Sequence, residues 1–246
     1  MGFIVCTYMI SLSPGKGVNY TGAALTGLLG AVVGSIVSTR IMLAFTAKVY
    51  GREQPMIDGG TLSLGGKRVR PVRAGGTGTR FMSALLDGGM DGVKMGVSII
   101  PGVLVICTVV MMLTNGPAES GLYTGAAYEG IGLLPKLADK LSFILTPLFG
   151  FSSPEGLAVP VTALGAAGAA ISLVPQLLAE GKAAGGDIAV FTAMCMCWSG
   201  YLSTHVSMMN SLGCNHLIGK AIISHTVGGL CAGVAAHWLY VLFALL

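Results

Sequence analysis

The feature that most constrains this chain is segment 187–215, which is apolar enough to cross a membrane yet carries a row of polar side chains. About 20 apolar residues span the roughly 30 Å hydrocarbon core of a bilayer. At about 100° per residue on one continuous helix, five polar residues share an arc of about 80°, namely Thr192, Ser199, Ser203, Ser207 and Asn210. Because unpaired polar groups are costly in lipid, this polar stripe is predicted to face another helix, a cavity or a solute.

Three ring side chains, Trp198, Tyr201 and His205, cluster on a different face of the same predicted helix. Hydrogen bonding beside the two aromatic residues is the favoured interpretation of His205. A metal cluster of His205, Cys214 and His216 would require an unwound helix, and the sequence contains no Ser–His or His-Glu-x-x-His signature of catalysis. The chain is therefore not predicted to be an enzyme.

Composition places the chain in the membrane. Of its 246 residues, 53% are hydrophobic and 10% charged, and the mean hydropathy is +0.79, whereas soluble domains carry about 25% charged residues. The six cysteines lie mostly in apolar stretches and are predicted to be buried and free. No signal peptide is predicted, because the amino terminus lacks a basic region and a small-residue cleavage motif.

Positive charge is concentrated between residues 51 and 80. This segment holds six basic residues against two acidic ones, a net charge of +4. The positive-inside rule places such a loop in the cytoplasm, and its glycine-rich part suggests a hairpin or a flexible connector. The basic run KRVRPVR at 67–73 lies beside membrane segments, so nucleic acid is not predicted as a partner.

Rows of small residues at every fourth position predict close helix packing. They occur in the predicted first span at 18–50 (Gly22, Thr26, Gly30, Gly34 and Ser38), in segment 81–114 (Gly88, Gly92 and Gly96) and in the last span at 216–246 (Ser224, Gly228, Ala232 and Ala236). Residues 1–12 are too short to span and are interpreted as a half-helix or the tail of a span. Pro101 is expected to kink or interrupt its helix.

A polar break separates two apolar stretches at 141–151 and 157–178. It contains Ser152, Ser153, Pro154, Glu155 and Gly156. A re-entrant hairpin or a discontinuous helix is the favoured interpretation, since transporters bind ions and solutes at such half-helix ends. A surface loop with Glu155 at a helix N-terminus is the alternative.

These observations predict an all-α integral membrane protein, a polytopic helix bundle of about five spans with a re-entrant or broken helix near 152–156. Its predicted parts are N-terminal membrane segments at 1–50, a basic cytoplasmic loop at 51–80 and a transmembrane domain at 81–246.

Two stretches resemble a known family. ALLDGGMDGVKMGVSIIPGVLVICTVV at 84–110 is similar to the opening of the Gate, or nucleoside recognition, domain. That domain occurs in concentrative nucleoside transporters, ferrous iron transporter B and spore maturation proteins A and B. FTAMCMCWSGYLSTHVSMMNSLG at 191–213 resembles small bacterial membrane proteins of the YjiH type in that family. The resemblance implies a multi-pass protein of the bacterial inner membrane, with a second Gate domain in a homo-oligomer or a partner protein.

The leading functional hypothesis is an ion-coupled secondary transporter, or half of one, for a small polar solute, of which a nucleoside-like compound is one candidate. Its predicted solute site combines the break with the stripe: Ser152, Ser153, Glu155, Thr192, Ser199, Ser203, Ser207 and Asn210. Glu155 is predicted to bind the coupling Na⁺ or proton, and no cofactor or resident metal is predicted. The alternatives are a non-transporting assembly protein of the spore-maturation type and metal-ion transport.

Overall fold

The structure is a computed structural model, and it describes residues 2–13, 19–51, 62–64, 67–69, 72–114, 116–118, 121–126 and 129–245. Nearly half of the predicted basic loop, and a number of helical side chains including those of Ser203 and Ser207, lie outside this description. Within the described part of the loop, Leu62–Leu64 (β1) pairs with Lys67–Val69 (β2) as an antiparallel ribbon. This agrees with the predicted hairpin.

Helices form the rest of the regular structure, as predicted for an all-α protein. In chain order they are α1 (Gly2–Ser11), α2 (Thr21–Tyr50), α3 (Thr77–Thr114), α4 (Leu133–Phe149), a 3₁₀ turn (Pro154–Leu157), α5 (Ala158–Ala163), α6 (Ala167–Ser172), α7 (Val174–Ala179), α8 (Gly185–Cys197), α9 (Tyr201–Ser211), a second 3₁₀ turn (Asn215–Leu217) and α10 (Ile218–Ala244).

Two helices among the described residues are long and apolar enough to cross a membrane, which favours a membrane protein. They are Thr21–Tyr50 and the combined segment Asn215–Ala244. At 1.5 Å per residue each is about 45 Å long, which exceeds the roughly 30 Å hydrocarbon core.

These two long helices pack antiparallel through the predicted rows of small residues. A Cβ at Gly30 would lie 2.7 Å from the carbonyl oxygen of Ala232, and one at Gly34 would lie 2.5 Å from that of Gly228. The residues that form the α10 row are buried against α2. The predicted close crossing is confirmed, because only small residues allow two helix backbones to approach this closely.

Helix α8 lies against both long helices and runs parallel to α2. Its middle faces Gly27, where a Cβ would collide with the backbone of Ala189 and lie 2.6 Å from the Cβ of Thr192. Gly185 lies against Tyr240 and Met194 against Gly233, so α8 runs antiparallel to α10. The short α1 adds buried Val5 and Met9 to the same core, in agreement with the half-helix interpretation.

Residues 154–182 form a helical hairpin that starts and ends beside the N-terminus of α8. At its start, Ser152 bonds to Asp187 of α8, and at its end Lys182 pairs with Glu155. At its tip, the carbonyl oxygen of Ala163 accepts the N–H of Gly200 at 2.8 Å, beyond the other end of α8. The segment therefore runs along the length of α8 and returns.

Helix α3 continues through Pro101, so this proline does not end the helix. Most of the described side chains of α3 are exposed. The predicted small row Gly88, Gly92 and Gly96 has no described atom within 4 Å of a Cβ built at any of its positions. Within the described part of the chain, nothing packs on this row.

We predict that Gly34→Val destabilises the protein by about 1–3 kcal/mol, because the added atoms would overlap the α10 backbone. The matched control is Gly92→Val in α3, where the space is open. Thermal unfolding of both variants in detergent checks the prediction. Equal losses in the two variants would contradict the importance of the α2–α10 contact.

Candidate functional site

The start of α8 is held by a buried carboxylate. Asp187 is 0% exposed, and its oxygens accept hydrogen bonds from the N–H of Ala184 at 2.8 Å, the N–H of Ser152 at 2.9 Å and the hydroxyl of Ser152 at 2.5 Å. These bonds cap α8 and fix the polar break onto it. The ring of His237 occupies the space beside Gly150, next to the same junction.

Glu155 lies at this same end, not inside the bundle. Its carboxylate is 3.2 Å from the ammonium of Lys182, which also lies 3.0 Å from Glu180. The side chains of Glu155 and Lys182 are 38% and 40% exposed. This position corresponds to the surface alternative for Glu155, and the ion pair closes the two ends of the hairpin onto each other.

The helix assumed for the polar stripe is interrupted, so the prediction of one continuous helix over 187–215 is wrong. Helix α8 ends at Cys197, and Gly200 adopts a left-handed conformation (φ 77°, ψ 27°) before α9 begins. The predicted stripe assumed a rotation of about 100° per residue along one helix. Because the helix is interrupted, this rotation gives the wrong direction for every stripe side chain after the interruption. The Ser199-Gly200 pair is a turn signal that indicates such an interruption.

The stripe residues consequently do not form one face. Thr192 is buried and its hydroxyl donates to the carbonyl oxygen of Ile188 at 2.6 Å. Ser199 lies at the interruption and lines a cavity, while Asn210 is exposed near the end of α9. Ser203 and Ser207 lie on α9, but their side chains are outside the description. The predicted site is thus split between the two ends of α8, which are about 20 Å apart.

The interruption of α8 lies level with the middle of both long helices. The Sγ of Cys197 would lie 3.2 Å from a Cβ at Gly34, near the centre of α2, and Trp198 packs on Gly229, near the centre of α10. The tip of the hairpin, where the helical structure breaks and the chain turns between α5 and α6, lies at the same level against Gly200. Two helix interruptions therefore meet at half the height of the bundle.

Two residues near the start of α9, Tyr201 and His205, lie close to His225 of α10. The ring centroids of His205 and His225 are 4.5 Å apart, and Tyr201 lies 4.8 Å from His225 and 5.7 Å from His205. The Tyr201 hydroxyl bonds to Thr226, and Nε2 of His225 bonds to the carbonyl oxygen of Cys197. Since a carbonyl can only accept, Nε2 of His225 carries the hydrogen. No pattern in the sequence indicates that His225 joins this group.

Three buried polar atoms near the interruptions have no hydrogen-bond partner within the described residues. They are Oγ1 of Thr162 at the hairpin tip, Nε1 of Trp198 and Nδ1 of His205. His205 lies beside Tyr201, as predicted, and interacts with its backbone, but Nδ1 makes no well-formed hydrogen bond within the described residues. Buried polar groups without a partner are uncommon and call for a specific explanation, such as a ligand or water.

A half-open cavity of about 490 Å³ adjoins the interruption of α8. Its polar lining comes from Ser35 and Ser38 of α2 and from Ser199, Tyr201, Thr204, His205 and His225, and none of the described lining residues is Asp, Glu, Lys or Arg. A second cavity of about 730 Å³ lies at the Asp187 end, between the start of α2 and Tyr240. The first cavity is the better candidate site, since it adjoins the interruption of α8 and is lined by His205, whose Nδ1 is buried without a described partner.

Neither a metal cluster nor reactive cysteines are evident in the described part of the chain. No group of three or more His, Cys, Asp or Glu side chains is placed to hold a metal ion there. The five cysteines that the structure describes are free, and all are buried or half-buried, as predicted. No protein-family model matches the chain, and no similar curated protein or solved structure was found.

We predict that Asp187→Ala destabilises the protein by at least about 1–3 kcal/mol, because it leaves three donors at a buried junction without an acceptor. Asp187→Asn keeps one acceptor oxygen and is expected to lose less. The control is Asp91→Ala at an exposed position of α3, expected within about 0.5 kcal/mol of the parent. Thermal unfolding measures all three, and an Asp187→Ala protein as stable as the control would refute the capping role.

The Glu155–Lys182 pair predicts a pH dependence. Burial raises the pKa of Glu155, but hydrogen bonds from its own backbone, Lys182 and Ser153 outweigh this and leave the pKa lowered. Hydrogen bonds to Glu180 and Glu155 raise the pKa of Lys182. The contribution of the ion pair to the stability of the fold is thus fully present at pH values between the ordinary carboxyl pKa and the ordinary lysine pKa. It is lost as pH falls through the lowered pKa of Glu155 or rises through the raised pKa of Lys182.

Lys182→Gln is accordingly expected to cost no more than about 1 kcal/mol at neutral pH, since the pair is partly solvent-exposed. The difference from the parent should vanish below the lowered pKa values of Glu155 and Glu180, the two carboxylates that Lys182 contacts. Unfolding as a function of pH measures this, with Lys94→Gln on the exposed face of α3 as the control. A loss that persists unchanged in acid would rule out the ion pair as its cause.

Proposed function

We propose that this protein is a secondary transporter, or half of one, that binds a small polar solute at the interruption between α8 and α9. The observation that carries the proposal is the meeting of two interrupted helical segments level with the middle of α2 and α10. In many transporters, solute and ions bind near the bilayer midplane at discontinuous helices, whose unwound ends offer free backbone groups.

The proposed topology follows from the course of the helices. With α2 and α10 spanning the bilayer, α3 and the interrupted α8–α9 segment cross beside them, and hairpin 154–182 enters and leaves on one side. These make about five membrane-embedded segments, four crossing and one re-entrant. The C-terminal end of α2 leads into the basic loop, which the positive-inside rule assigns to the cytoplasm. We propose the bacterial inner membrane as the location.

The chemistry of the cavity favours an uncharged or zwitterionic solute. Its volume of about 490 Å³ lies within the usual range for small-molecule sites of about 300–1,000 Å³. Hydroxyl and imidazole groups offer directional hydrogen bonds, while aromatic and apolar surfaces cover the remainder. A nucleoside-like compound has this combination of a flat ring and several hydroxyls, in keeping with the resemblance to the Gate domain.

An assembly role of the spore-maturation type is the second candidate, and the open glycine row on α3 favours it. Because Gly88, Gly92 and Gly96 meet no described atom, another helix can approach that face closely. We propose a second copy of this chain or a second Gate-domain protein as the partner. A half-transporter also needs such a partner, so this observation does not decide between the two functions.

The test of transport is a thermal-shift screen of detergent-purified protein with nucleosides, amino acids and Na⁺. A ligand at 100 times its dissociation constant should stabilise the protein by about 2.7 kcal/mol. Ser199→Ala and Thr204→Val are expected to weaken this stabilisation, because both side chains line the cavity. Ser172→Ala, on an exposed face of α6, is the matched control and should respond like the parent.

Uptake of any stabilising solute is then measured in proteoliposomes. Solute-specific uptake that the cavity variants lose and the control retains would support both the function and the site. If no solute stabilises a well-folded parent protein, the assembly role becomes the better proposal. A solute that stabilises parent and cavity variants equally would place the site elsewhere in the chain.

A further inference from the structure

The proposed transporter needs an ionisable group to bind its coupling ion, and Glu155 is poorly placed for this. It lies in a partly exposed ion pair at one end of the bundle. Two imidazoles, those of His205 and His225, lie together at the level of the cavity, with ring centroids 4.5 Å apart. Imidazole is the side chain whose ordinary pKa lies closest to physiological pH.

His225 is positioned to accept a positive charge. Its Nε2–H donates to the carbonyl oxygen of Cys197, the last residue of α8. The C-terminal end of a helix carries a partial negative charge, which stabilises a cation placed there. The interruption of α8 therefore creates, inside the bundle, a helix terminus that favours the imidazolium form of His225.

His205 supplies a second proton-binding position. Its ring lies beside the backbone of Tyr201, and its buried Nδ1 makes no well-formed hydrogen bond to a described residue. Since both rings line the same cavity, a proton that arrives through the cavity can bind to either. Two imidazolium ions this close would repel each other strongly, so the pair is suited to one added proton and not to two.

The other titratable groups around the pair leave this charge uncompensated. Cys197 on α8 and Tyr201 on α9 are neutral partners, and the lining residues of α2 have no titratable side chain. On α10 the nearest charged residue in sequence is Lys220, five positions before His225. On α3, which also packs against α9, the charged residues are Arg80, which is half-buried, and Asp87, Asp91 and Lys94, which are exposed. Among the described residues that line the cavity, a proton on the pair is therefore the main charge.

We propose that His205 and His225 together bind one proton and form the coupling site of the transporter. The neutral pair takes up a proton on a free ring nitrogen from water on one side of the membrane and releases it to water on the other. The coupling role rests on the proposed function, but the binding of a single proton can be tested without a solute.

The experiment is ¹⁵N NMR of histidine-labelled protein in lipid bilayers, between about pH 9 and about pH 4. The four histidines are assigned by single substitutions, including His205→Asn and His225→Asn. We expect His205 and His225 to take up protons in two steps, the second requiring at least about a tenfold higher proton concentration than the first. In either single variant the remaining ring should titrate in one step. His216, which bonds to Tyr50 and does not line this cavity, is the internal control.

Several results would overturn the proposal. Rings that stay neutral over the whole range would make the pair structural. A single common step shared with His216 would mean that the two rings are hydrated and independent. Displacement of the added proton by substoichiometric Zn²⁺ or Ag⁺ would identify a metal site instead.

Transport supplies the second arm of the test, with the solute found in the screen and a pH-sensitive dye inside proteoliposomes. His205→Asn should reduce solute-driven proton movement at least about tenfold, while His216→Gln keeps the parent rate. If the parent carries solute without moving protons, the coupling role fails and the transporter proposal stands. If no solute is found, the transporter proposal fails and the NMR titration still decides whether the pair binds a single proton.

Discussion

The close contact between α2 and α10 is the interaction on which the rest of the structure depends. In lipid, apolar side chains gain little by leaving one apolar surface for another, so helix association relies on close backbone approach and complementary shape. Gly30 and Gly34 allow this approach because a single methyl group at either position would overlap the α10 backbone. The two helices form a rigid wall, and α8 lies along the groove between them. The hairpin and α1 then cover the other side of α8.

The interruption of α8 depends on the residues that pack around the C-terminal end of this helix. Trp198 occupies the space above Gly229, and the chain turns at Gly200 in a conformation that suits glycine. Ending a helix inside a protein leaves backbone groups without partners. Here the carbonyl oxygen of Ala163 at the hairpin tip accepts the Gly200 N–H, and that of Cys197 accepts from His225. Each interruption therefore depends on a neighbour, which explains why the hairpin tip, α8 and α10 meet at one level.

The sequence predicted well whatever depends on short-range periodicity. The small rows of α2 and α10 and a break in helical structure near Ser152 follow from a few neighbouring residues, although the structure places this break at the base of hairpin 154–182 and not at its tip. The polar stripe failed because its geometry assumed an unbroken helix over many turns, and one left-handed glycine changes the direction of everything after it. The roles of Asp187 and His225 depend on partners 35 and 28 positions away. Such long-range pairs leave no periodic signal in a single sequence.

The placement of charge separates the two ends of the bundle from its middle. After Asp187, Lys220 is the only charged Asp, Glu, Lys or Arg residue up to position 246. Glu155 and Lys182 form their ion pair at the hairpin ends, where water can solvate them. An ion placed at mid-height would have few fixed charges to balance it, and a buried unpaired charge is costly. Imidazoles avoid this cost because they are neutral until a proton arrives, and the exposed carbonyl end of α8 stabilises the charge while it is present. In the proposed transporter, the interruption of α8 would thus provide both the opening for a solute and the electrostatic environment for a proton.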